Sequence, residues 1–309
     1  MTTSTRSEPR HSPPLRRRRL SELLKELRAI DGRTCEAIGA AAGYSEATIF
    51  RLEAGTGARP QLATVTAIIN AYGVTGEKRK EILDLARAGA QRGWWGKYKH
   101  IPNPYLKLIG LETEAEEIWN WESHVVAGWL QTPEYARAVL KAGAWKLSEY
   151  DRAQRIALRM ERAERLLYGP EPVQLHVVLD ESVLHRMVGG IETMRDQLTH
   201  LHEMAQLPNV RIQILPFSAG ATPGAEPFTI LTFKHRLDSE AVYVETRKTE
   251  VWFDEPMQVT DYRDTFTQSV KTACSEADSL RLISAHAETL TNRIGRVPSA
   301  RTTGLDKEQ

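Results

Sequence analysis

The chain has 309 residues, 41% of them hydrophobic and 26% charged, which is enough for two domains with separate cores and unlike a disordered or membrane-embedded protein. Its net charge of +1 is unevenly placed, with +8 over residues 1–99 and −7 over residues 100–309, so a basic module suited to a phosphate backbone precedes an acidic one. No apolar run approaches the roughly 18 residues of a membrane span, and Cys35 and Cys274 lack the spacing of a zinc site or disulfide framework, so a reduced, cytoplasmic protein is expected.

Residues 1–14 are polar and proline-bearing, without the hydrophobic region of a secretory signal, and read as a disordered tail. After the basic run Arg16 to Arg19, the spacing of Leu20, Leu23, Leu24, Leu27 and Ile30 predicts an amphipathic helix ending near Asp31-Gly32. Thr34 stands where a cap belongs for a second, short helix with Ile38 and Ala41 on its apolar face, and Gly43 takes the position beyond its end. Ser45 opens a third helix that turns Ile49 and Leu52 one way and Glu46, Ala47, Thr48 and Arg51 the other. So short a glycine turn makes the two helices cross steeply, and the small residues of the second let the third come close.

The pattern T-x-x-x-I-x-x-x-x-G-x-S-x-x-T-I-x-x-x-E-x-G, from Thr34 to Gly55, resembles the helix-turn-helix of the lambda-repressor-like, XRE-type regulators. The likeness continues through Pro60, the repeat Leu62, Val65, Ile68 and Ile69, and Ile82, Leu83 and Leu85, giving a five-helix domain over residues 15–90. It implies a structural ion pair between Arg28 and Glu53, and base readout in the major groove by Glu46, Ala47, Thr48 and Arg51. Arg51 has the fork that pairs with guanine, and Glu46 accepts from cytosine, although an acidic first turn also suits a helix dipole. Phosphate contacts are expected from Thr34 and the N-terminus of the second helix, and from Arg16, Arg17, Arg18, Arg19, Arg33, Ser45 and Arg59. Cys35 departs from the glutamine the family often carries there. The alternative use of such a bundle is as a protein-protein or dimerisation module.

The glycines and prolines of QRGWWGKYKHIPNPY place a domain joint after Ala90, with a second domain over residues 91–291 and a polar tail over 292–309. A helical region to about Tyr168 is followed by five strand patterns: PVQLHVVLD, NVRIQILPF, FTILTF, AVYVET and VWF. The first two flank a helix, as in a parallel crossover, and the rest read as a meander before two closing helices. The expected fold is therefore multi-domain: an all-α five-helix helix-turn-helix domain, then a larger α/β (α+β) domain with a helical front half and a mixed sheet of about five strands.

The stretches VVAGWLQTPEYARAVL, VVLDESVLHRMVGG and QLTHLHEMAQLPNVRIQILPFSAG resemble the C-terminal domain of the actinobacterial WhiJ-like, antitoxin-like regulators. Ala127 and Trp129 replace the proline and leucine usual there. The resemblance implies a DNA binder regulated by a small acidic partner protein from a neighbouring gene.

Asp180, Glu181 and His185 cluster after a strand, where ligand sites of α/β sheets form, but the same residues serve as caps and solvated surface. His200 and His202 diverge on a helix and cannot share a metal as an i, i+4 pair can. Without GxSxG, Walker or HExxH patterns, no catalytic residue, metal ligand or cofactor is expected. Six tryptophans, Trp94, Trp95, Trp119, Trp121, Trp129 and Trp145, fall within residues 94–145. They read either as core and seam or as a partner or effector groove built from Trp119, Trp129, Leu130, Gln131 and Tyr135 under a loop spanning Pro216 to Phe228. The sequence thus predicts a sequence-specific transcriptional regulator that binds double-stranded DNA at a pseudo-palindromic operator as a homodimer. The alternatives are an antitoxin-like interaction protein that regulates its own gene and a DNA-anchored enzyme.

Overall fold

The computed structural model describes residues 11–55, 59–143, 146–221, 226–235, 237–246 and 249–295. The helices are α1 (Pro13–Asp31), α2 (Cys35–Ala42), α3 (Glu46–Glu53), α4 (Leu62–Ala71), α5 (Gly76–Ala90) and α6 (Asn103–Glu112), before strand β1 (Glu117–Glu122). Then come α7 (Pro133–Gly143), α8 (Glu149–Leu167), β2 (Gln174–Asp180), α9 (Ser182–His185), α10 (Ile191–Met204) and β3 (Val210–Leu215). The chain continues through β4 (Phe228–Thr232), β5 (Ala241–Glu245), β6 (Glu250–Phe253), α11 (Pro256–Thr272) and α12 (Glu276–Gly295). The first expected tail lies outside the described residues up to residue 10, and Pro13 and Pro14 already belong to α1. The second lies outside them from residue 296, after α12 has continued to Gly295.

One six-stranded mixed sheet has the order β3-β2-β1-β4-β5-β6. β2 and β3 run parallel, Leu175 against Val210 through Asp180 against Leu215, as the strand-helix-strand pattern predicts. β4, β5 and β6 form the antiparallel meander. The sixth strand is β1, EIWNWE, inside a region expected to be helical. It alternates half-buried Glu117 and Trp119 with buried Ile118 and Asn120, a period of two over its first four residues, and then buries Trp121 as well.

The described residues divide into two compact units, one drawn from the chain up to Trp119 with Glu164–Gln174 and Phe228–Arg263, the other from Asn120–Ala163, Leu175–Pro227 and the chain from Asp264 onward. The chain passes Ala90 without leaving the first unit.

In the first unit α1 begins at the Ser12 hydroxyl, which accepts from the Leu15 amide at 3.2 Å, and ends at Gly32, whose φ of 79° gives the left-handed stop. Leu20, Leu23 and Leu24 of α1 join Ile38, Ile49, Val65, Ile68, Ile69 and Ile82 in one core. Ile30 is 85% exposed, because the apolar stripe of α1 outruns the helices that cover it. Leu237, between β4 and β5, packs onto the same core. Beside it the Arg19 guanidinium is buried and donates from Nε to both carboxylate oxygens of Asp238, at 3.0 and 2.8 Å, and from Nη2 to Glu114 at 3.2 Å. Asp238 has no exposed side-chain surface. Glu114 also accepts from the Ser12 amide and pairs with Arg16 at 3.1 Å. At Gly110 of α6 a β-carbon would lie 2.5 Å from the Pro14 ring, so α1 and α6 touch where only glycine fits.

In the second unit the segment VVAGWLQTPEYA is a polar clasp. The Tyr135 hydroxyl accepts from the Val126 amide at 3.2 Å, and Gln131 donates to the Val126 carbonyl at 2.6 Å. The buried Gln197 amide accepts from the Thr132 backbone at 2.7 Å and donates to the Leu130 carbonyl at 2.6 Å. α12 packs on α10, and its Ser279 hydroxyl accepts from Ile214 of β3 at 2.9 Å.

Removing one member of a buried ion pair strands the other. Asp238→Ala should therefore lower unfolding stability by about 3–5 kcal/mol, and the double change Arg19→Met with Asp238→Leu should recover most of it. Urea denaturation followed by circular dichroism measures both. A loss near zero in Asp238→Ala would show that Arg19 is not held there.

Candidate nucleic-acid interface

Thr34 adopts the extended cap conformation, and its hydroxyl accepts from the Ala37 amide at 3.2 Å. α2 turns out at Gly43, with φ of 76°, and the Tyr44 amide donates back to the Gly39 carbonyl at 2.9 Å. A β-carbon at Gly39 would lie 2.7 Å from the Tyr44 carbonyl oxygen and 3.2 Å from the Glu46 nitrogen, so the bend between α2 and α3 closes against a bare backbone. Ile49 is buried on the inner face of α3. On the outer face Glu46, Ala47 and Arg51 are exposed and Thr48 is half-buried. Ser45 occupies the cap position of α3 but makes no cap bond to its backbone, and its hydroxyl instead lies 2.9 Å from that of Thr48. Arg51 donates from Nε to the Ala47 carbonyl at 3.0 Å, which lays its guanidinium along the helix surface.

Phe50 stands on the same outer face and is 63% exposed, a residue the sequence reading left out. Its place directly after inward Ile49 was the available signal, since a residue beside a core position rotates by about 100° to the flank. An exposed phenyl ring beside Ala47 suits contact with a thymine methyl group.

Arg28 of α1 donates from Nε to both oxygens of Glu53, at 2.8 and 3.0 Å. The hydrogen bond and charge of Glu53 raise the Arg28 guanidinium above its ordinary range, while Glu53 itself is buried. This pair fixes the last turn of α3 to α1. The Cys35 thiol lies 4.0 Å from Glu53, and burial followed by the Glu53 charge pushes it up.

The residues expected to hold phosphates take different places. Arg19 is buried on Asp238 and Glu114, Arg16 pairs with Glu114, and Arg18 bonds the Ser239 hydroxyl and lies 3.5 Å from Asp254. Arg17 donates to the Gly89 carbonyl at 2.9 Å. The run Arg16 to Arg19 is thus engaged within the first unit rather than presented as a free basic stripe, because carboxylates distant in sequence fold onto it. Arg33 pairs with Asp31 at 2.5 Å and donates to the Ala71 carbonyl at 2.7 Å. Arg59 is exposed. It lines, with Arg17, Lys25, Gly55 and Trp95, an open cleft of about 730 Å³ behind the end of α3. Burial, and then the like charge of Arg59, lower the Arg17 guanidinium, so an anion between the two would relieve a repulsion.

Four of the residues expected to line a partner groove are not exposed. Trp129, Leu130, Gln131 and Tyr135 are buried within the second unit, with the Trp129 ring under the Arg162 guanidinium at 4.7 Å. Trp119 belongs to the first unit, under Arg263 at 4.7 Å. Gln197 engages the Thr132 amide and the Leu130 carbonyl, and the Trp129 and Tyr135 rings are buried. Trp145 lies outside the described residues, as do residues 222–225 of the loop expected over the groove.

Residues 105–285 match the family model of the domain of unknown function DUF5753. The chain belongs to the DUF5753 family. Ahead of that domain, residues 19–82 match a helix-turn-helix domain model, and this span contains α2, α3 and the Arg28–Glu53 pair. The chain therefore joins a helix-turn-helix, a DNA-binding and regulatory module, to a DUF5753 domain. No curated protein and no solved structure matches it. Among the described residues no helix is long and apolar enough to cross a membrane.

Within the DUF5753 domain, Asp180 accepts from the Ser182 amide at 2.9 Å as a turn-forming carboxylate. Glu181 and His185 converge instead with His286 of α12. Burial, and then the neighbouring His185, lower the His286 imidazole below its ordinary value. His200 lies 3.8 Å from Glu203 of its own helix, and among the described residues it joins no cluster of metal-ligating groups.

Helix propensity and packing give opposite signs at Gly39. Alanine in a helix is favoured over glycine by about 1 kcal/mol, yet the added carbon meets backbone at 2.7 Å. Gly39→Ala should lower stability by about 1–3 kcal/mol, read as a fall in melting temperature. A rise would mean that α2 and α3 do not approach this closely.

Proposed function

We propose that this protein is a sequence-specific transcriptional regulator that places α3 in the major groove of duplex DNA. The observation that carries this reading is the outer face of α3, where Glu46, Ala47, Phe50 and Arg51 are exposed on a helix fixed from behind by the Gly39 contact and the Arg28–Glu53 pair. Such a helix presents base-reading chemistry on a rigid support. Arg51 reads guanine, Glu46 a cytosine amine, and Ala47, Thr48 and Phe50 a thymine methyl group. Thr34 and the N-terminus of α2, with Ser45, Arg33, Arg59 and Arg17, hold phosphates.

One recognition helix of eight residues contacts too few base pairs for specificity, which supports a homodimer on a pseudo-palindromic operator with half-sites about 34–36 Å apart. The likeness of the C-terminal stretches to WhiJ-like regulators supports control of that dimer by a small partner protein from a neighbouring gene, in the cytoplasm.

Selection from a random duplex library with the full chain at near-physiological salt tests this reading. A two-fold motif should be enriched, and Arg51→Ala should lose about 1–3 kcal/mol on it while relaxing one position in each half-site. Phe50→Ala should weaken a thymine position and leave the fold unchanged. Arg59→Ala, which removes an exposed cation, should weaken binding alike on all sequences and reduce the salt slope by about one. Absence of any enriched motif, or a motif unchanged in Arg51→Ala, would overturn this placement of α3.

A further inference from the structure

Glu181 directly follows β2, His185 ends α9, and His286 lies in the middle of α12, all within the second unit. Their ligating atoms lie within 4.8 Å of one another. His185 Nε2 is 3.2 Å from His286 Nε2 and 3.4 Å from Glu181 Oε1. We propose that these three side chains bind one divalent transition-metal ion, zinc by preference.

The distances are those that such an ion sets. Zinc holds imidazole nitrogen and carboxylate oxygen at about 2.0–2.2 Å, so adjacent ligands of a tetrahedral site stand about 3.3–3.5 Å apart. Without an ion the arrangement is half satisfied, because His185 Nε2 carries either a hydrogen or a lone pair and so either donates to Glu181 or accepts from His286, not both. An ion at the centre of the three atoms receives a lone pair from each. The ligand set of two imidazoles and one carboxylate suits zinc, cobalt or nickel and disfavours calcium or magnesium, which require a shell of oxygens.

The ligands are also oriented from outside. Glu181 Oε2 accepts from the Phe217 amide at 2.7 Å, which turns Oε1 toward the histidines. The Phe217 ring stacks on that of His185, with centroids 5.4 Å apart and planes 26° from parallel. Supports of this kind orient metal ligands in proteins. The His185 side chain is 49% exposed, so solvent reaches the site and supplies the fourth ligand. The bound ion would tie the end of β2 to α12, two segments 101 residues apart between the histidines. It would act as a staple of the DUF5753 domain, and it is independent of the DNA-binding reading.

The full chain, stripped with chelator, should bind one equivalent of zinc, and cobalt should give the visible absorption of a four-coordinate nitrogen and oxygen site. His286→Ala and His185→Gln should each weaken zinc binding by at least about tenfold, with Glu181→Gln also weakened. Because the His185 side chain is about half exposed, His185→Gln keeps its fold, which circular dichroism checks. Cys274→Ser should leave affinity unchanged. Zinc should raise the melting temperature of the wild type and not that of His286→Ala. No saturable binding, undiminished affinity in both histidine variants, or loss of binding in Cys274→Ser would overturn the site.

Discussion

A buried guanidinium cannot be left alone, and the placement of Arg19 against Asp238 and Glu114 organises the first unit around that requirement. The two carboxylates come from the turn before β1 and from the connection between β4 and β5. Leu237, next to Asp238, packs on the core of the first five helices. The apolar contact and the ion pair therefore act at one place, one excluding water and the other satisfying the charge that remains. α1 is the recipient of both, and its start is further bound by Ser12 to Glu114 and by the approach of Pro14 to Gly110. The helix that opens the helix-turn-helix thus packs on the connection between β4 and β5 as well as on the bundle.

This anchoring bears on recognition through a chain of contacts. α1 holds Arg28, Arg28 holds Glu53, and Glu53 closes α3. At the other end of α3 the bend at Gly39 leaves no space for a side chain. Fixed at both ends from the inner side, α3 needs nothing from its outer face for stability. Phe50 is consistent with that: its ring is 63% exposed and adds little to the core.

The bundle was legible in the sequence because its signals are local. A cap at Thr34, left-handed glycines at Gly32 and Gly43, and apolar residues three and four apart act over one or two turns, whereas the Ser12 cap lay in a stretch that reads as a tail. The strands after Pro172 were legible for the same reason. β1 was not, because two glutamates and an asparagine among two tryptophans give no apolar alternation, and its pairing is decided by distant strands. Nor was the fate of Arg16 to Arg19, since Asp238 lies 219 positions from Arg19. The same distinction divides the metal-ligating cluster: Glu181 and His185 stand four apart and could be noticed, while His286 joins them only after α12 folds back. Trp129 and Tyr135 carried an ambiguous signal, because large aromatics suit a core and a groove equally until burial is known.

The charge asymmetry along the chain acquires a different meaning from these contacts. A surplus of +8 in the first third, taken alone, describes a module drawn to any phosphate backbone. Folded, three of its arginines meet acidic residues of the later chain, at Glu114, Asp238 and Asp254, and a fourth is bonded to a helix terminus. Each cation neutralised inside the protein is one that does not release a counterion from DNA, and the salt dependence of binding scales with the number of phosphates contacted. On the proposed placement of α3, a helix-turn-helix deprived of its leading arginines in this way draws less of its affinity from sequence-independent attraction and more from base edges. Such a balance lowers competition from non-specific DNA, which is the quantity that limits a regulator in a genome.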